Sequence, residues 1–288
     1  MSDFPLTFAI VTPNYNYAPY LEAALRSVLE QQYPHLEYWV MDGGSTDGSV
    51  AILQRYEKQL TGWLSQPDQG QADAINQGFA RTSSEIMGWL NSDDKYLPWT
   101  FEVVSRIFQD CPEVQWLTTG RLLLWTPTGS PWMTLAIDGY GRKLFYSGRY
   151  AMGSPVFQMV IQQESTFWRR SLWEAVGGSL RNGLTMVDFD LWARFWQVAD
   201  LYTVPIPLAG YRTHPDTKTA TALQSHQAEF AQILAEYQEP RWSPNQIRWR
   251  SQLCRMASRW RPYLGDSLRQ VTYNLEQARW QTGITYGI

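Results

Sequence analysis

Three short polar segments carry side chains that could bind a ligand or perform chemistry. Residues 12–16 read Thr-Pro-Asn-Tyr-Asn, residues 42–47 read Asp-Gly-Gly-Ser-Thr-Asp, and residues 91–94 read Asn-Ser-Asp-Asp. Each segment follows an apolar run that is typical of a buried strand. Carboxylates at the end of a buried strand need a cation or hydrogen-bond donors to offset their desolvation. The three segments are therefore candidate ligand-binding turns.

The sequence around these turns predicts an α/β fold. Apolar strands are predicted at 6–11, 37–41, 62–65, 86–90 and 114–119, and helices at 17–31, 72–80 and 101–108, with a further helix capped by Asp47. Strands that alternate with helices at this spacing predict a mostly parallel sheet with helices on both faces. In such sheets ligands bind beyond the carboxyl ends of the strands, so the three turns are expected on one rim.

The chain after residue 120 has a less regular pattern. A hairpin is predicted over 122–137, a Gly- and Tyr-rich mobile loop over 138–155, helices at 165–176 and 187–198, and a strand at 201–204. Residues 220–237 and 244–262 again predict helices. We expect one α/β domain over 1–220, with halves 1–120 and 121–220, followed by a C-terminal helical extension over 221–288.

The composition excludes several classes of protein. A chain of 288 residues with 44% hydrophobic residues can bury a full core, and a net charge of −3 argues against a nucleic-acid partner. The sequence has no signal-peptide pattern and no apolar run near the roughly 20 residues of a membrane-spanning helix. Two cysteines favour neither a disulfide scaffold nor a zinc cluster, so a cytoplasmic location is expected. Fifteen tryptophans fit either a core or sugar-stacking surfaces.

The carboxylates of the second and third turns each allow a functional and a structural interpretation. Asp93 and Asp94 can hold Mg²⁺ or Mn²⁺ against substrate phosphates. Alternatively, Asp94 caps the next helix and Asp93 is solvated. Asp42 can accept a hydrogen bond from a ribose hydroxyl or a uracil N–H, whereas Asp-Gly-Gly-Ser also forms a turn without any ligand.

Four motifs occur in order along the first 110 residues. They are Ile-Val-Thr-Pro-Asn-Tyr-Asn at 10–16, Met-Asp-Gly-Gly-Ser-Thr-Asp-Gly-Ser at 41–49, Gln-Pro-Asp-Gln-Gly-Gln-Ala-Asp-Ala-Ile-Asn-Gln-Gly at 66–78, and Gly-Trp-Leu-Asn-Ser-Asp-Asp at 88–94. Together they resemble the motifs of glycosyltransferase family 2, the last one in the place of its aspartate-x-aspartate motif. The likeness continues more loosely through residues 163–170 and 188–194.

This resemblance implies a GT-A fold and the inverting transfer of a sugar from a nucleotide sugar, UDP-linked by expectation, to an acceptor hydroxyl. The acceptor would be a glycan or a lipid-linked molecule of cell-surface polysaccharide or glycolipid synthesis. Residues 1–120 would bind the nucleotide sugar and residues 121–220 the acceptor. The resemblance implies donor-binding roles for Thr12, Pro13, Asn14, Tyr15, Asp42, Asp73, Asn91 and Ser92, and a metal-binding role for Asp93.

Inverting transfer also needs a general base for the acceptor hydroxyl, while a metal ion offsets the charge of the leaving diphosphate. Asp188 is the expected base because it matches the family's position before a helix that begins Phe-Asp-Leu-Trp. Asp190 and Glu164 are the alternatives, and Glu164 is also a candidate for acceptor binding. Asp188 would otherwise act only as the helix N-cap.

The chain departs from the family pattern at two positions. Gly43 stands where the family often has a second aspartate, and the neutral Asn91 opens the metal motif, so weaker metal binding is expected. Asp94 and His214 are candidate additional ligands of Mn²⁺ or Mg²⁺, although His214 can equally be a loop histidine. Lys218 is a candidate contact to the diphosphate.

A second pattern lies near the C-terminus. Six arginines and no acidic residue occur between Pro240 and Gly265, and Trp249, Leu253, Met256 and Trp260 form one helical stripe. Such a helix can lie on an anionic membrane surface, which predicts peripheral contact with the cytoplasmic face through 241–262. The alternative is a helix packed on the domain with solvated arginines.

Three other functions compete with a sugar transferase. A nucleotidyltransferase usually has a Gly-rich basic loop after the first strand, and the loop at 13–17 has neither glycine nor lysine. A carbohydrate-binding module would use the tryptophans for stacking but would not need Asp93 or Asp188. A degenerate, inactive transferase would account for Asn91 and Gly43.

Overall fold

The computed structural model describes residues 6–215, 217, 223–256 and 258–288, which form thirteen strands and ten α-helices within those ranges. The strands are β1 Phe8–Asn14, β2 Leu36–Asp42, β3 Gly62–Ser65, β4 Ile86–Trp89, β5 Lys95–Tyr96, β6 Trp116–Thr119, β7 Arg121–Trp125, β8 Pro131–Ala136, β9 Phe167–Arg169, β10 Leu201–Val204, β11 Ala209–Arg212, β12 Asp266–Asn274 and β13 Arg279–Gly287.

The helices lie mainly between successive strands. They are α1 Ala18–Leu29, α2 Ser49–Tyr56, α3 Gln71–Phe79, α4 Thr100–Asp110, α5 Arg142–Tyr146, α6 Arg170–Ala175, α7 Val187–Val198, α8 Leu223–Ala235, α9 Pro244–Met256 and α10 Arg261–Leu264. Single 3₁₀ turns occur at Gln163–Ser165 and Ser258–Trp260. Among the described residues, no helix combines the length and apolar character needed to cross a membrane.

Nine strands form the main sheet, in the order β13-β12-β10-β6-β9-β4-β1-β2-β3. Parallel pairing joins β4, β1, β2 and β3 on one side and β6, β10 and β12 on the other. The short strand β9 lies antiparallel between these two groups. Strands β5, β11, β7 and β8 form a second, four-stranded sheet. The predicted α/β architecture with a mostly parallel sheet is confirmed.

The central strands are buried because their sequences are apolar on both faces, as parallel strands covered by helices require. Every residue of β1 is buried. A cluster of tryptophans fills the space between the sheet and α7, where the ring of Trp192 packs within 6.1 Å of those of Trp89, Trp116 and Trp168. These four indoles are essentially inaccessible to solvent. Much of the unusual tryptophan content therefore serves the core that fixes β4 against α7.

The structure corrects two predictions for the second half of the chain. Residues 138–155 are not an irregular mobile loop, because they contain α5 and bury Tyr140, Phe145 and Tyr150. The Tyr140 hydroxyl donates to the Val160 carbonyl at 2.9 Å, and the Tyr150 hydroxyl accepts from the Gly141 amide at 3.0 Å. Residues 165–176 form a 3₁₀ turn, strand β9 and helix α6 instead of one helix.

The C-terminal extension is helical only in its first part. Helices α8, α9 and α10 lie between residues 223 and 264, while the final residues form the hairpin β12–β13. Strand β12 pairs with β10, so this hairpin completes one edge of the main sheet. The prediction of a helical segment up to residue 288 is therefore wrong for 266–287. The domain boundary at 220 remains a prediction.

Candidate active site

The three polar turns lie together because the strands that precede them, β1, β2 and β4, are parallel neighbours in the main sheet. Asn14 pairs in register with Asp42, and Asp42 with Ser65, at the carboxyl ends of β1, β2 and β3. The amide of Leu90, at the end of β4, donates to the Val11 carbonyl at 3.0 Å. The turns that follow these four strands therefore share one edge of the sheet, as the sequence predicts.

Asp42 is the centre of a hydrogen-bond network at this edge. Its carboxylate accepts from Asn14 Nδ2 at 2.6 Å, from Ser65 Oγ at 2.6 Å, and from the amide and hydroxyl of Ser45 at 2.9 and 2.5 Å. Burial alone would raise the pKa of Asp42, but these donors outweigh it and lower the pKa. Asp42 is therefore ionised at neutral pH and fixes the Asp-Gly-Gly-Ser turn.

A small pocket opens beside this network. It is lined by Met41, Asp42, Leu64, Gln66, Asp68, Ala74 and Gln77. Gly43 forms part of the same region, since a Cβ built there would lie 2.9 Å from Asp68 Oδ2 and 3.2 Å from Tyr15 Cδ2. Tyr15 is 62% exposed, so its ring is available at the mouth of this region.

The other predicted donor-binding residues differ in accessibility. Thr12 and Pro13 are buried, and Thr12 Oγ1 lies 3.0 Å from the Tyr38 hydroxyl, so the Thr12 side chain joins β1 to β2. The donor-binding role of Thr12 stays a prediction. Asp73 lies in the first turn of α3 and accepts from the Gln69 amide at 3.1 Å and Gln77 Nε2 at 3.0 Å.

The turn after β4 brings Asp93 to His214, a residue 121 positions further along the chain. His214 Nε2 lies 3.1 Å from Asp93 Oδ2. The imidazole is buried against the Tyr20 ring, with 4.5 Å between centroids, and its Nδ1 has no hydrogen-bond partner within the described part of the chain. A carboxylate oxygen and an imidazole nitrogen this close can converge on one divalent cation.

This donor set fits a metal site that the protein completes only in part. No group of three or more His, Cys, Asp or Glu side chains with metal-binding geometry occurs among the described residues. Mn²⁺ and Mg²⁺ at phosphate sites commonly take one or two protein ligands, with waters and phosphate oxygens as the others. Asp93 and His214 would be those two ligands.

Asp94, for which a metal-ligand role is predicted, is bound within the protein. It is 1% exposed, and its Oδ1 accepts from the Arg212 amide at 2.9 Å. Burial raises the pKa of Asp94, and the charges of Asp93 and Glu164 raise it further. The Arg212 guanidinium donates to the Asp93 carbonyl at 2.6 Å. Asp94 and Arg212 thus join the turn after β4 to β11, which positions His214.

Asn91 is held from two sides. Its Oδ1 accepts from Gln71 Nε2 at 2.7 Å, and its Nδ2 donates to Gln163 Oε1 at 3.1 Å. Gln163 also donates to the Trp89 carbonyl at 2.7 Å. The neighbouring Ser92 is buried. Asn91 therefore connects β4 to α3 and to the 3₁₀ turn that carries Glu164.

Glu164 lies in the 3₁₀ turn Gln163–Ser165, next to the turn that carries Asp93. It is 4% exposed, and burial raises the pKa of its carboxyl to about 8. The charges of Asp188 and Asp93 act in the same direction. Gln163, in the same 3₁₀ turn, accepts from Asn91 at 3.1 Å, and Trp192 of α7 packs with its ring 6.1 Å from that of Trp89 in β4. The elements that carry Asp93, Glu164 and Asp188 therefore pack against one another.

Asp188 and Asp190 share the first turn of α7 but differ in their surroundings. Asp188 is half-buried, and its Oδ1 accepts from the Phe189 amide at 2.8 Å. Asp190 is fully buried and paired with Arg181 and Arg194. Both arginines already occupy the Asp190 carboxylate, so Asp188 is the better-placed base of the two.

Several residues of this site escaped the sequence analysis. Gln71, Gln163 and Arg212 each bind a residue of the 91–94 turn. Gln71 and Gln163 lie in segments that resemble the family, but the sequence analysis assigned none of the three residues a role. Only the fold brings them there. Lys218, predicted near the diphosphate, lies outside the described residues.

Open α/β sheets bind their ligands beyond the carboxyl ends of the strands, and in this chain that edge carries the Asp42 turn and the Asp93–His214 pair. The Glycosyl transferase family 2 model matches residues 9–174, more than half of the chain. The chain belongs to this family, which confirms the resemblance seen in the motifs.

Comparisons with individual proteins agree with this membership. TuaG of Bacillus subtilis, a glycosyltransferase provisionally assigned to teichuronic acid biosynthesis, is 35% identical over 99 residues, or 33% of this chain and 39% of TuaG. The chain spans about a third of the length of several curated relatives that it matches.

Two solved structures show the fold. Residues 1–349 of S. aureus TarS in complex with UDP-GlcNAc match with a TM-score of 0.57 and 16% identity over 80% of this chain and 71% of that one. The mannosyltransferase PcManGT from Pyrobaculum calidifontis, in complex with GDP-Man and Mn²⁺, matches with a TM-score of 0.57 and 19% identity over 81% of this chain and 64% of that one. The chain therefore has a GT-A fold.

Proposed function

We propose that this chain transfers a sugar from a UDP-linked donor to an acceptor hydroxyl, with inversion at the anomeric carbon. The observation that best supports this proposal is that three elements meet: the turn of Asp93 is bound to the turn of Glu164 through Asn91 and Gln163, and α7, which carries Asp188, packs on β4 through Trp192 and Trp89. The elements that carry a candidate metal-binding carboxylate and a candidate base thus pack together. Direct displacement requires both groups near the same anomeric carbon.

The nucleotide would occupy the edge of β1, β2 and β3. The ionised Asp42, the exposed ring of Tyr15 and the pocket beside Gln66 and Asp68 offer an acceptor, a stacking surface and a recess for the base. TarS in complex with UDP-GlcNAc supports a UDP sugar. PcManGT in complex with GDP-Man makes a guanine nucleotide the alternative to test.

A divalent cation, Mn²⁺ or Mg²⁺, would be held by Asp93 and His214. When bound, such an ion offsets the negative charge that develops on the departing nucleoside diphosphate. The neutral Asn91, fixed by Gln71 and Gln163, would bind a ribose hydroxyl through its amide. The Mn²⁺ complex of PcManGT supports the use of a divalent ion.

Asp188 would accept the proton of the acceptor hydroxyl. Its position in the first turn of α7 is fixed by the packing of Trp192 on Trp89, which ties α7 to β4 and therefore to the metal-binding turn. Glu164, with a pKa raised to about 8, is protonated at neutral pH and would donate a hydrogen bond to the acceptor. These assignments give the two carboxyl groups separate roles.

The acceptor would be a glycan or a lipid-linked molecule in the synthesis of a cell-surface polymer or glycolipid. The similarity to TuaG supports this class of acceptor. A cytoplasmic location, where nucleotide sugars are available, would follow from this role.

A thermal-shift experiment with matched variants tests the donor site. We expect UDP or UDP-GlcNAc with Mn²⁺ to stabilise the protein by about 3 kcal/mol at a hundredfold excess over Kd. Asp93→Asn should lose the Mn²⁺-dependent part of that stabilisation, whereas Glu57→Gln, which alters an exposed carboxylate of the surface, should keep it.

The same protein would then be assayed for release of UDP from UDP-GlcNAc, with EDTA as the metal-free control. Slow, Mn²⁺-dependent release is expected. No stabilisation by any nucleotide sugar would contradict the proposal and favour a carbohydrate-binding module. Stabilisation without turnover over a panel of UDP- and GDP-sugars would favour a degenerate transferase.

A further inference from the structure

An exposed aromatic and apolar surface lies on the C-terminal helices α9 and α10 and on the 3₁₀ turn between them. Trp249, Leu253 and Trp260 are between 40% and 47% exposed, and Met256 and Tyr263 are 83% and 78% exposed. We call these five residues the C-terminal patch. Large apolar side chains exposed this far and this close together usually mark an interaction surface.

The patch faces solvent because a different side of α9 packs on the protein. Ile247 and Cys254, which are seven residues apart, are 1% and 7% exposed and face inward. At about 100° per residue, Trp249, Leu253 and Met256 fall on the opposite side of the helix. The stripe seen in the sequence is therefore not the face by which α9 joins the core.

Contacts of Arg250 and Trp242 hold the helix in this orientation. Arg250 donates to the Leu264 carbonyl at 2.7 Å, and its guanidinium lies 4.5 Å from the centre of the Trp242 ring. The Trp242 amide donates to Ser147 Oγ at 2.8 Å, next to the buried helix α5. Arg250 thus joins α9 to α10 and to the domain.

The charge around the patch is positive and unbalanced. Arg248, Arg255 and Arg259 are exposed, and no acidic side chain in the described part of the chain pairs with any of them. Arg261 reaches only Asp138, with 3.9 Å between the charged atoms. The segment 240–265 has no acidic residue, although the whole chain carries a net charge of −3. This local excess of positive charge is complementary to an anionic surface.

We infer that the C-terminal patch docks the protein on an anionic lipid bilayer. Tryptophan and tyrosine favour the headgroup region, Leu253 and Met256 supply apolar area for the acyl boundary, and the flanking arginines attract acidic headgroups. A nucleic acid or an acidic peptide would satisfy the arginines but would leave Met256 in water. This inference does not depend on the proposed transfer reaction.

Co-sedimentation of the full chain with vesicles tests the inference. We expect binding to phosphatidylcholine vesicles that contain phosphatidylglycerol, and little binding to phosphatidylcholine alone. With each arginine near the surface contributing about fivefold, the triple variant Arg248→Gln/Arg255→Gln/Arg259→Gln should lower the partition coefficient by about a hundredfold.

The matched control changes three exposed arginines elsewhere. Arg26, Arg55 and Arg106 have side chains between 60% and 65% exposed, and their triple glutamine variant has the same net charge as the first. It should bind anionic vesicles much better than the patch variant. Equal losses in the two triple variants would overturn the inference, because they would show a response to net charge only.

A second pair of variants tests the apolar contribution. Met256→Ser should weaken binding by about tenfold, while Leu275→Ser, at a site 86% exposed on the β12–β13 turn, should not. All variants change exposed side chains, and unchanged thermal unfolding verifies that they fold. Absence of wild-type binding to anionic vesicles would refute the inference, as would retention on a soluble polyanion such as heparin without vesicle binding.

Discussion

Replacement of Glu164 by glutamine should stabilise the metal-free protein increasingly as the pH rises. The buried Glu164 carboxyl has its pKa raised from an ordinary 4.5 to about 8. Between these values the native state keeps a proton that the unfolded state has lost, so the native state binds more protons. The free energy of unfolding of the wild type therefore falls with rising pH across this window, and the contribution of the protonated carboxyl is lost above pH 8.

The pKa difference sets the size of the effect. At 1.36 kcal/mol per pH unit, the interval between the two pKa values corresponds to at most about 5 kcal/mol. Relaxation and water penetration reduce such penalties, so we expect a gain of between about 2 and 5 kcal/mol for Glu164→Gln at pH 8 relative to pH 4.5. Glutamine keeps the shape of the side chain and carries no charge.

Urea unfolding of both proteins in EDTA, at a series of pH values, provides the measurement. The titratable groups that interact with Glu164 are Asp93, Asp94, Asp188, Tyr96 and Tyr140. They are common to both proteins, and the two tyrosines titrate above the window. A stability difference that stays constant from pH 4.5 to pH 8 would refute the reasoning.

The same variant distinguishes the two carboxyl groups in catalysis. Because Glu164 is protonated near neutral pH, Glu164→Gln preserves a hydrogen-bond donor and should keep turnover of the wild-type order at pH 7. A loss of turnover as large as that of Asp188→Asn would contradict the roles proposed for the two residues. The exposed substitution Glu57→Gln controls for the loss of one carboxylate.

Three further substitutions test residues that hold the candidate active site in place or lie beside the expected metal ion. Trp192→Ala should lower the free energy of unfolding by about 3 to 5 kcal/mol in urea unfolding, because a fully buried indole leaves a cavity between α7 and β4. Arg212→Gln should cost about 1 to 3 kcal/mol by the same measurement, since the Asp93 carbonyl loses its charged donor. Asn91→Asp should increase the thermal stabilisation that Mn²⁺ provides, because it adds a carboxylate beside Asp93; an unchanged response would remove Asn91 from the ion's surroundings.

The first half of the fold was predictable because most of its strands are central in the sheet and largely apolar. Strands β1, β2 and β4 have largely apolar sequences, and the polar turns that follow them stand out from those sequences. Parallel pairing then brings the turns together by topology alone. The family motifs lie in the same turns, so the sequence carries both signals at once.

The second half follows weaker local signals. Strand β9 has only three residues and gains its place from its two neighbours in the sheet. The β12–β13 hairpin is largely polar because one face is exposed, and its register comes from pairing at the sheet edge. In the segment 138–155, Tyr140 and Tyr150 lie inside the core, where their hydroxyls find partners that only the folded chain supplies.

The candidate active site was likewise predictable only in part. The sequence marks Asp93 and Asp188, but the contact of Asp93 with His214 joins positions 121 residues apart. The separate environments of Asp188, Asp190 and Glu164 likewise depend on burial and on Arg181 and Arg194, which tertiary packing brings to α7.

Asp188→Asn, assayed for UDP binding and for transfer in the presence of Mn²⁺, tests the central claim most directly. A general base contributes about 10²- to 10⁴-fold, so turnover should fall by that factor while the affinity for UDP stays within about twofold of the wild type. Turnover that survives the substitution, or UDP affinity that disappears with it, would show that the carboxylate at the start of α7 does not take the acceptor's proton.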